Sequence, residues 1–396
     1  PVGWLSTTYS GRDWGTEHVN DIRRLYGGDF FEGPVFGSSS AMVPDDGRVS
    51  SVKELMSRAF ACAREYGLDV VFALDVDTEA ANPQNIIKTL PWSAQIKVGG
   101  SIVANPDTPQ GYDYYRAQVT SLLADYPQIS RLVVWFRGSG TLWRNIGRRE
   151  FPAVWRDMFA EVAKKKPSGL LEHIYAPSMF AVSRVTAAYR KILDESGRSD
   201  VKLGIGSWDF DFIQAADLFH PSDVAFFTLD TQINLATAGM KDRIKNAGLH
   251  RPLIPIVWAH HDDRTYIGRS YTPYEYFSQE LDDIRAGGFG VIHWTTRPLD
   301  IYFKSLSDQT WSESRDQPVK ETCGRMAERT FGPVAREKMG EYLYKFVKEG
   351  PQFGRETTDR FIDRSLDVEK TIALSRQRQE LLALLLRQLV FLRLLQ

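Results

Sequence analysis

Short apolar runs alternate along most of the chain with stretches in which apolar positions recur every three or four residues. The runs VVFALD (70–75), RLVVWF (131–136) and FGVIHW (289–294) are apolar at successive positions, which is typical of strands buried on both faces. Intervening stretches such as 52–66 have helical periodicity. This alternation predicts a parallel sheet that is covered by helices.

The pattern predicts eight strands, which is the number that a closed barrel requires. They lie at 3–9, 29–36, 70–75, 131–136, 201–207, 224–229, 253–258 and 289–294, with helices at 16–26, 52–66, 112–126, 152–165, 180–194 and 274–286. The alternative is a doubly wound open sheet, but no Gly-rich phosphate loop follows the first strand. We therefore predict an α/β fold of the (β/α)8 TIM-barrel type.

After about residue 301 the pattern changes to helices alone, at 304–311, 318–331, 333–349 and 358–395. This change predicts a catalytic barrel at 1–302 and a helical C-terminal region at 303–396. No apolar run reaches 18 residues, because Arg387 and Arg393 interrupt the apolar C-terminal stretch. We therefore expect no membrane span.

Composition restricts the function further. The formal net charge of the 396 residues is −1, whereas a general nucleic-acid binder would carry a basic excess. A hydrophobic share of 43% is sufficient for a large core. The two cysteines, Cys62 and Cys323, have no metal or redox spacing and lie in helical segments, so we expect buried free thiols.

The residues that follow the predicted strands carry most of the candidate chemistry. In chain order they are Asp75 and Asp77, Arg137, Trp208 with Asp209 and Asp211, Asp230, the run His260, His261, Asp262 and Asp263, and finally Trp294 and Arg297. Because the carboxyl ends of barrel strands meet at one mouth, we expect these side chains to lie together. For any single aspartate, helix capping or a salt bridge is the more common role.

Carboxyl groups in such a mouth are typical of glycoside hydrolysis. The reaction needs two carboxyls on opposite sides of the anomeric carbon, one protonated and one ionised. The candidate catalytic residues are Asp209, Asp230, Asp262 and Asp263. Adjacent residues usually point in different directions, so we expect Asp262 or Asp263 to act with Asp209 or Asp230.

The remaining strand-end residues are candidates for substrate binding. Arg137 and Arg297 either pair with Asp75 or Asp300 or bind an anionic substituent of a sugar, such as a uronic-acid carboxylate or a sulfate. The other candidates are Asp75, Asp77, Trp208, Asp211, His260, His261 and Trp294. Arginine, histidine and tryptophan together suit an acidic sugar better than a neutral one.

The HHDD run also permits a metal-dependent hydrolase or lyase. His and Asp are good ligands, but adjacent residues rarely bind one ion, and no H-x-H or H-E-x-x-H spacing occurs. We therefore predict no metal site and no cofactor. A non-catalytic carbohydrate-binding barrel is a further alternative.

Three stretches, VVWFRGSGT, IPIVWAHHDDRTYIGRSY and GFGVIHWTTRPLDIYFKSLSDQTW, resemble barrel glycoside hydrolases of the α-glucuronidase type and related bacterial polysaccharide-degrading enzymes. The resemblance implies a barrel followed by helices, attack on a terminal uronic acid or similar sugar, carboxylate catalysis, and a periplasmic or secreted location. Many barrel glycosidases have a catalytic Glu after the fourth strand, where this chain has Arg137-Gly138-Ser139. No catalytic assignment is therefore transferred from the resemblance.

Overall fold

The computed structural model describes residues 8–9, 12–13, 45–77, 84–136, 141–165, 172–207, 209–229, 239–258, 274–292, 300–311 and 317–349. The chain divides into two compact units, Pro1–Val257 with Ile284–Gly290, and Trp258–Asp283 with Val291–Gln396. The boundary expected between residues 302 and 303 stays a prediction.

The strands and helices follow one another in the order expected for an α/β protein. The described strands are β1 Thr8–Tyr9, β2 Arg12–Asp13, β3 Val70–Asp75, β4 Gln95–Val98, β5 Ser101–Ala104, β6 Ile129–Trp135, β7 Lys202–Ser207, β8 Ala225–Leu229, β9 Leu253–Trp258 and β10 Gly290–Ile292. The described α-helices are α1 Asp45–Glu65, α2 Gln84–Ile87, α3 Pro109–Asp125, α4 Ala153–Lys165, α5 Ala176–Glu195, α6 Phe210–Ala216, α7 Met240–Asn246, α8 Phe277–Asp283, α9 Asp300–Thr310, α10 Val319–Phe331 and α11 Arg336–Glu349. Short 3₁₀ helices lie at Trp92–Ala94, Leu142–Asn145 and Pro333–Ala335.

The main sheet has six strands in the order β3-β6-β7-β8-β9-β10. Four of the strand pairs are parallel, namely β3–β6, β6–β7, β7–β8 and β8–β9. A doubly wound sheet reverses its strand order at a switch point, whereas a barrel adds each new strand on the same side. The predicted fold class is therefore confirmed: an α/β fold with a parallel half-barrel of the TIM-barrel type, and helices in the C-terminal region.

Most of the elements predicted within the described residues are confirmed. The third to eighth predicted strands correspond to β3, β6, β7, β8, β9 and β10. Of the first, only Thr8–Tyr9 is described, and it pairs antiparallel with Arg12–Asp13, which was not predicted. The predicted strand at 29–36 and the helices at 16–26 and 358–395 lie outside the described residues. Helices α6 and α7 and the β4–β5 hairpin were not predicted.

The β4–β5 hairpin is inserted between β3 and α3. Its strands pair antiparallel from Gln95 opposite Ala104 to Val98 opposite Ser101, and Gly99 in the turn has a φ of 59°. Glycine adopts this left-handed conformation without the steric cost that a side chain would bring. The Gln84 side chain accepts a hydrogen bond from the backbone of Ile102 at 3.0 Å and donates one to it at 2.6 Å, which fastens the hairpin to α2.

Helices α3 and α5 pack together through aromatic side chains. The rings of Tyr115 and Tyr189 have centroids 6.0 Å apart, and the Tyr189 hydroxyl donates to Gln118 Oε1 at 3.0 Å. Burial raises the pKa of both tyrosines well above 10, and the carboxylate of Asp77 raises it further. The hydroxyls therefore stay protonated and available as donors in the folded protein.

In the second unit, α10 and α11 cross closely. A Cβ on Gly340 would lie only 2.6 Å from the Cα of Gly324, so the crossing requires glycine. Cys323 is buried as expected, and burial raises the pKa of its thiol to about 12. The expectation for Cys62 is wrong, because this thiol is exposed on α1. Among the described residues, no helix is both long enough and apolar enough to cross a membrane.

Gly111, in the first turn of α3, should not tolerate a methyl group. A Cβ there would lie 1.8 Å from the backbone oxygen of Asn105. We expect Gly111→Ala to reduce the free energy of unfolding by about 2 kcal/mol, since backbone has to move and the usual gain in helix propensity is smaller. Denaturant titration followed by circular dichroism measures the effect.

Gly100→Ala is the matched control. Its Cβ would have no neighbour within 4 Å, and its backbone lies outside the left-handed region. Its free energy of unfolding should change by no more than about 0.5 kcal/mol. Equal stability of the two variants would contradict the close approach at Gly111.

Candidate functional site

The structure describes four of the predicted site residues, namely Asp75, Asp77, Asp209 and Asp211. The others lie outside the described residues and stay predictions: Arg137, Trp208, Asp230, His260, His261, Asp262, Asp263, Trp294 and Arg297. Asp75 ends β3, Asp77 lies two residues beyond it, and Asp209 and Asp211 follow β7. Parallel pairing places the carboxyl ends of β3 and β7 on the same edge of the sheet.

One face of this edge carries a carboxylate and an indole ring side by side. Asp75 lies opposite Trp135 in the β3–β6 register, and Trp135 lies opposite Gly206 in the β6–β7 register. A Cβ on Gly206 would be 2.0 Å from the Trp135 ring, so the ring covers the glycine. Asp75 is 7% exposed and Trp135 is partly exposed. Together they form a surface that pairs an aromatic plane with a hydrogen-bonding carboxyl.

Asp77 is more deeply buried, with 2% of its surface exposed. Its Oδ2 accepts hydrogen bonds from the Tyr115 hydroxyl at 2.6 Å and from Trp143 Nε1 at 2.9 Å. Its backbone oxygen also accepts from Leu142 N at 2.9 Å. A buried carboxylate needs such donors to offset the loss of water. Asp77 therefore joins the end of β3 to α3 and to the 3₁₀ helix Leu142–Asn145.

That 3₁₀ helix carries Arg144, which extends to Tyr175 at the start of α5. The Arg144 guanidinium donates from Nη2 to the Tyr175 hydroxyl at 2.9 Å and lies 5.3 Å from the centre of the Tyr175 ring. Both side chains are partly buried. The contact combines a hydrogen bond with a cation–π interaction, which restricts the guanidinium to one orientation.

Asp209 is the N-cap residue of α6. Its side chain accepts a hydrogen bond from Asp211 N at 2.9 Å. This is the helix-capping role that the sequence analysis gave as the more common one for a single aspartate. Burial raises the pKa of Tyr175, and the charge of Asp209 raises it further, while Arg144 lowers it. The charge of Asp209 thus acts on the Tyr175 hydroxyl, while its side-chain oxygen caps the helix.

Asp211 forms an ion pair with Arg243 of α7. Both side chains are about half exposed, at 44% and 51%, and exposed pairs of this kind contribute little to stability. The guanidinium of Arg243 also lies 5.9 Å from the centre of the Phe210 ring. Asp211 thus has a cationic partner at the rim, on the turn after Asp209.

The structure describes groups at or just after the ends of β3, β6 and β7, which lie at the same edge of the sheet. The meeting of the predicted site residues in one mouth stays a prediction. Three residues at this edge were not identified from the sequence, namely Trp135, Arg144 and Tyr175. Trp135 stands at the end of a predicted strand and could have been found by the same argument. Arg144 and Tyr175 lie within the long connection between β6 and α5, where no periodic pattern indicates which side chains face the site.

Metal binding finds no support among the described residues, where no group of three His, Cys, Asp or Glu side chains is arranged to hold an ion. The HHDD run lies outside the described residues, so the metal alternative is not tested. The described part of the site combines carboxylates, an arginine, a tyrosine hydroxyl and an indole ring. These groups can bind a polyol through hydrogen bonds and stacking, and can transfer protons.

No family model matches the sequence, and no curated protein matches it. Solved structures with a distant likeness include 3-keto-D-glucoside 4-epimerase from E. coli, with 13% identity over 64% of this chain and 84% of the epimerase, and a TM-score of 0.32. D-psicose 3-epimerase has 12% identity over 75% of this chain and 85% of its own, also with a TM-score of 0.32. L-ribulose 3-epimerase has 13% identity over 78% and 95% of the two chains, with a TM-score of 0.30. Likenesses at this level carry no conclusion about function.

Removing the Asp77 carboxylate should destabilise the first unit. In Asp77→Ala, Tyr115 and Trp143 lose a buried charged acceptor, and alanine tolerates the φ of 50° less well than aspartate does. We expect the free energy of unfolding to fall by about 3 kcal/mol, which denaturant titration measures.

Asp77→Asn is the matched variant, because asparagine accepts the left-handed conformation and keeps one acceptor oxygen. It should lose less than half as much stability as the alanine variant. Asp113→Ala, at an exposed ion pair with Arg116, should be close to neutral. A small loss in Asp77→Ala, comparable to that of Asp113→Ala, would refute the structural role of the carboxylate.

Proposed function

We propose that this protein is a carbohydrate-active enzyme, and more specifically a glycoside hydrolase that removes a terminal, acidic or otherwise decorated sugar from an oligosaccharide or polysaccharide. The observation that carries the proposal is the pairing of the Asp75 carboxyl with the Trp135 ring at the carboxyl edge of the parallel sheet. In barrels of this type, active sites are built at that edge. The chemistry is argued from the side chains, since the fold alone supports many reactions.

Trp135 and Asp75 support the binding of a sugar. The C–H face of a pyranose packs against an indole plane, while its hydroxyls donate to a carboxylate. Asp75 and Trp135 are register neighbours on the same sheet face, so one ring of a sugar can contact both. The glycine at position 206 leaves the Trp135 ring room to lie flat along β7.

Asp209 supports the hydrolytic step. Its carboxylate caps α6 just after the end of β7, and its charge contributes to the raised pKa of Tyr175. In the proposed mechanism, Asp209 is one of the two carboxyls that flank the anomeric carbon. The second comes from Asp230, Asp262 or Asp263, which follow the next two strands, β8 and β9.

The proposed reaction breaks the bond between the anomeric carbon and the leaving oxygen. One carboxylic acid donates its proton to that oxygen, while the other carboxylate attacks the anomeric carbon or removes a proton from the attacking water. Water supplies the hydroxyl group of the released sugar and the proton that restores the acid. Both stereochemical outcomes are compatible with this set of residues.

Asp209→Asn separates the charge of Asp209 from its role as a helix cap. Asparagine caps a helix as well as aspartate does, so the stability should change by no more than about 0.5 kcal/mol. We expect kcat/KM on the responsive substrate of a panel of neutral and uronic-acid glycosides to fall by about a thousandfold, as for loss of an acid–base group. If Asp209 is the acid, glycosides with activated leaving groups should lose less.

Two further variants complete this test. Asp209→Ala removes both the charge and the cap, and should lose activity together with about 1 kcal/mol of stability. Asp200→Asn, at an exposed pair with Arg198, controls for the loss of a negative charge elsewhere. Full turnover by Asp209→Asn would exclude Asp209 from the reaction. A loss of activity in chelator that added divalent ions restore would favour the metal-dependent alternative instead.

A further inference from the structure

Arg144 is held in place at the rim, and the residues that the structure describes give it no carboxylate partner. Its guanidinium donates to the Tyr175 hydroxyl, and within the described parts of the chain it makes no ion pair. Arg184 and Arg251 show the more usual arrangement, since they pair with Asp107 and Asp217. A guanidinium has five N–H donors, so most of those on Arg144 remain for another ligand.

The surroundings fix the position of Arg144. Trp143, the preceding residue, is bound to the buried carboxylate of Asp77 at 2.9 Å. The Tyr175 ring lies against the guanidinium, and it also packs against Phe212 of α6 with ring centroids 5.8 Å apart. A donor group oriented in this way before binding loses little freedom when a ligand arrives.

The charges around Arg144 limit the charge that its ligand can carry. The charge of Asp209 acts on Tyr175, and Asp211, two residues further along, already pairs with Arg243. An anionic ligand at this rim is repelled by these carboxylates unless a cation faces it. Arg144 supplies that cation, and its planar fork matches two oxygens of a carboxylate or sulfate.

We propose that Arg144, oriented by Tyr175, binds an anionic substituent of the sugar, a carboxylate or a sulfate ester, and thereby selects acidic over neutral sugars. This inference rests on the proposed function, because it places the anionic group of the substrate beside Asp209. Arg144 is a specificity-determining residue, and Tyr175 is a positioning residue that acts through it.

Equilibrium binding tests the inference without requiring turnover. Titration calorimetry with D-glucuronate, D-glucose 6-sulfate and D-glucose compares the wild-type chain with Arg144→Gln, Arg144→Lys and Tyr175→Phe. We expect the wild-type chain to bind an anionic sugar more tightly than glucose. Arg144→Gln should weaken that binding about 30-fold, as for loss of a charge-assisted pair of hydrogen bonds, while glucose binding changes less than about threefold.

The other variants separate charge from geometry. Arg144→Lys keeps the charge but not the fork, so it should retain part of the preference. Tyr175→Phe keeps the ring and removes the hydroxyl, and should weaken the binding of the anionic sugar by a smaller factor than Arg144→Gln. Arg116→Gln, at an exposed pair on α3, controls for the loss of a positive charge and should bind all three sugars as the wild type does.

The outcomes distinguish the inference from the proposed function. Preference for glucuronate identifies a carboxylate ligand and preference for the 6-sulfate identifies a sulfate ester, and either result supports the inference. It is overturned if Arg144→Gln keeps wild-type affinity for both anionic sugars, or if the wild type binds neither anionic sugar more tightly than glucose. If the inference is overturned but the protein hydrolyses glycosides, the proposed function remains supported. Arg144-dependent binding without hydrolysis of any glycoside refutes only the proposed function.

Discussion

The candidate site depends on one buried interaction, the carboxylate of Asp77 with its donors Tyr115 and Trp143. A carboxylate removed from water is costly unless hydrogen bonds replace its hydration, so the two donors are required once Asp77 is 2% exposed. The same bonds restrict the 3₁₀ helix that carries Trp143. Arg144 directly follows Trp143 in the chain. The buried contact between Trp143 and Asp77 therefore helps to fix the position of Arg144 at the rim.

A second constraint acts on β7, where glycine replaces side chains on one face of the strand. A Cβ on Gly204 would lie 2.8 Å from the Phe227 ring, and one on Gly206 would lie 2.0 Å from the Trp135 ring. Glycine within a strand costs about 0.5–1 kcal/mol of stability, because the unfolded chain loses more freedom. Here that cost gives two large rings room beside β7, and one of them, Trp135, is the register neighbour of Asp75.

The strands of the sheet could be predicted from the sequence because most of them contain a short apolar run. The short helices α6 and α7 span seven residues each, which is too short for a 3.6-residue period to be distinct. Asp75 and Asp209 could be placed at strand ends from the sequence alone, because each lies at or just after the end of a predicted strand. It could not find the role of Asp77, whose donors lie 38 and 66 residues away and are identified only by the fold.

At Asp209 and Tyr175 the side chain has a chemical group that its structural role does not require. An N-cap requires only an acceptor oxygen, so asparagine or serine at position 209 would serve α6 as well as Asp209 does. The packing of Tyr175 on Phe212 requires only a ring, whereas its hydroxyl serves Arg144. The charge of one residue and the hydroxyl of the other exceed what the fold needs. Asp209 lies just after the end of β7, at the carboxyl edge of the sheet where β3 and β6 also end.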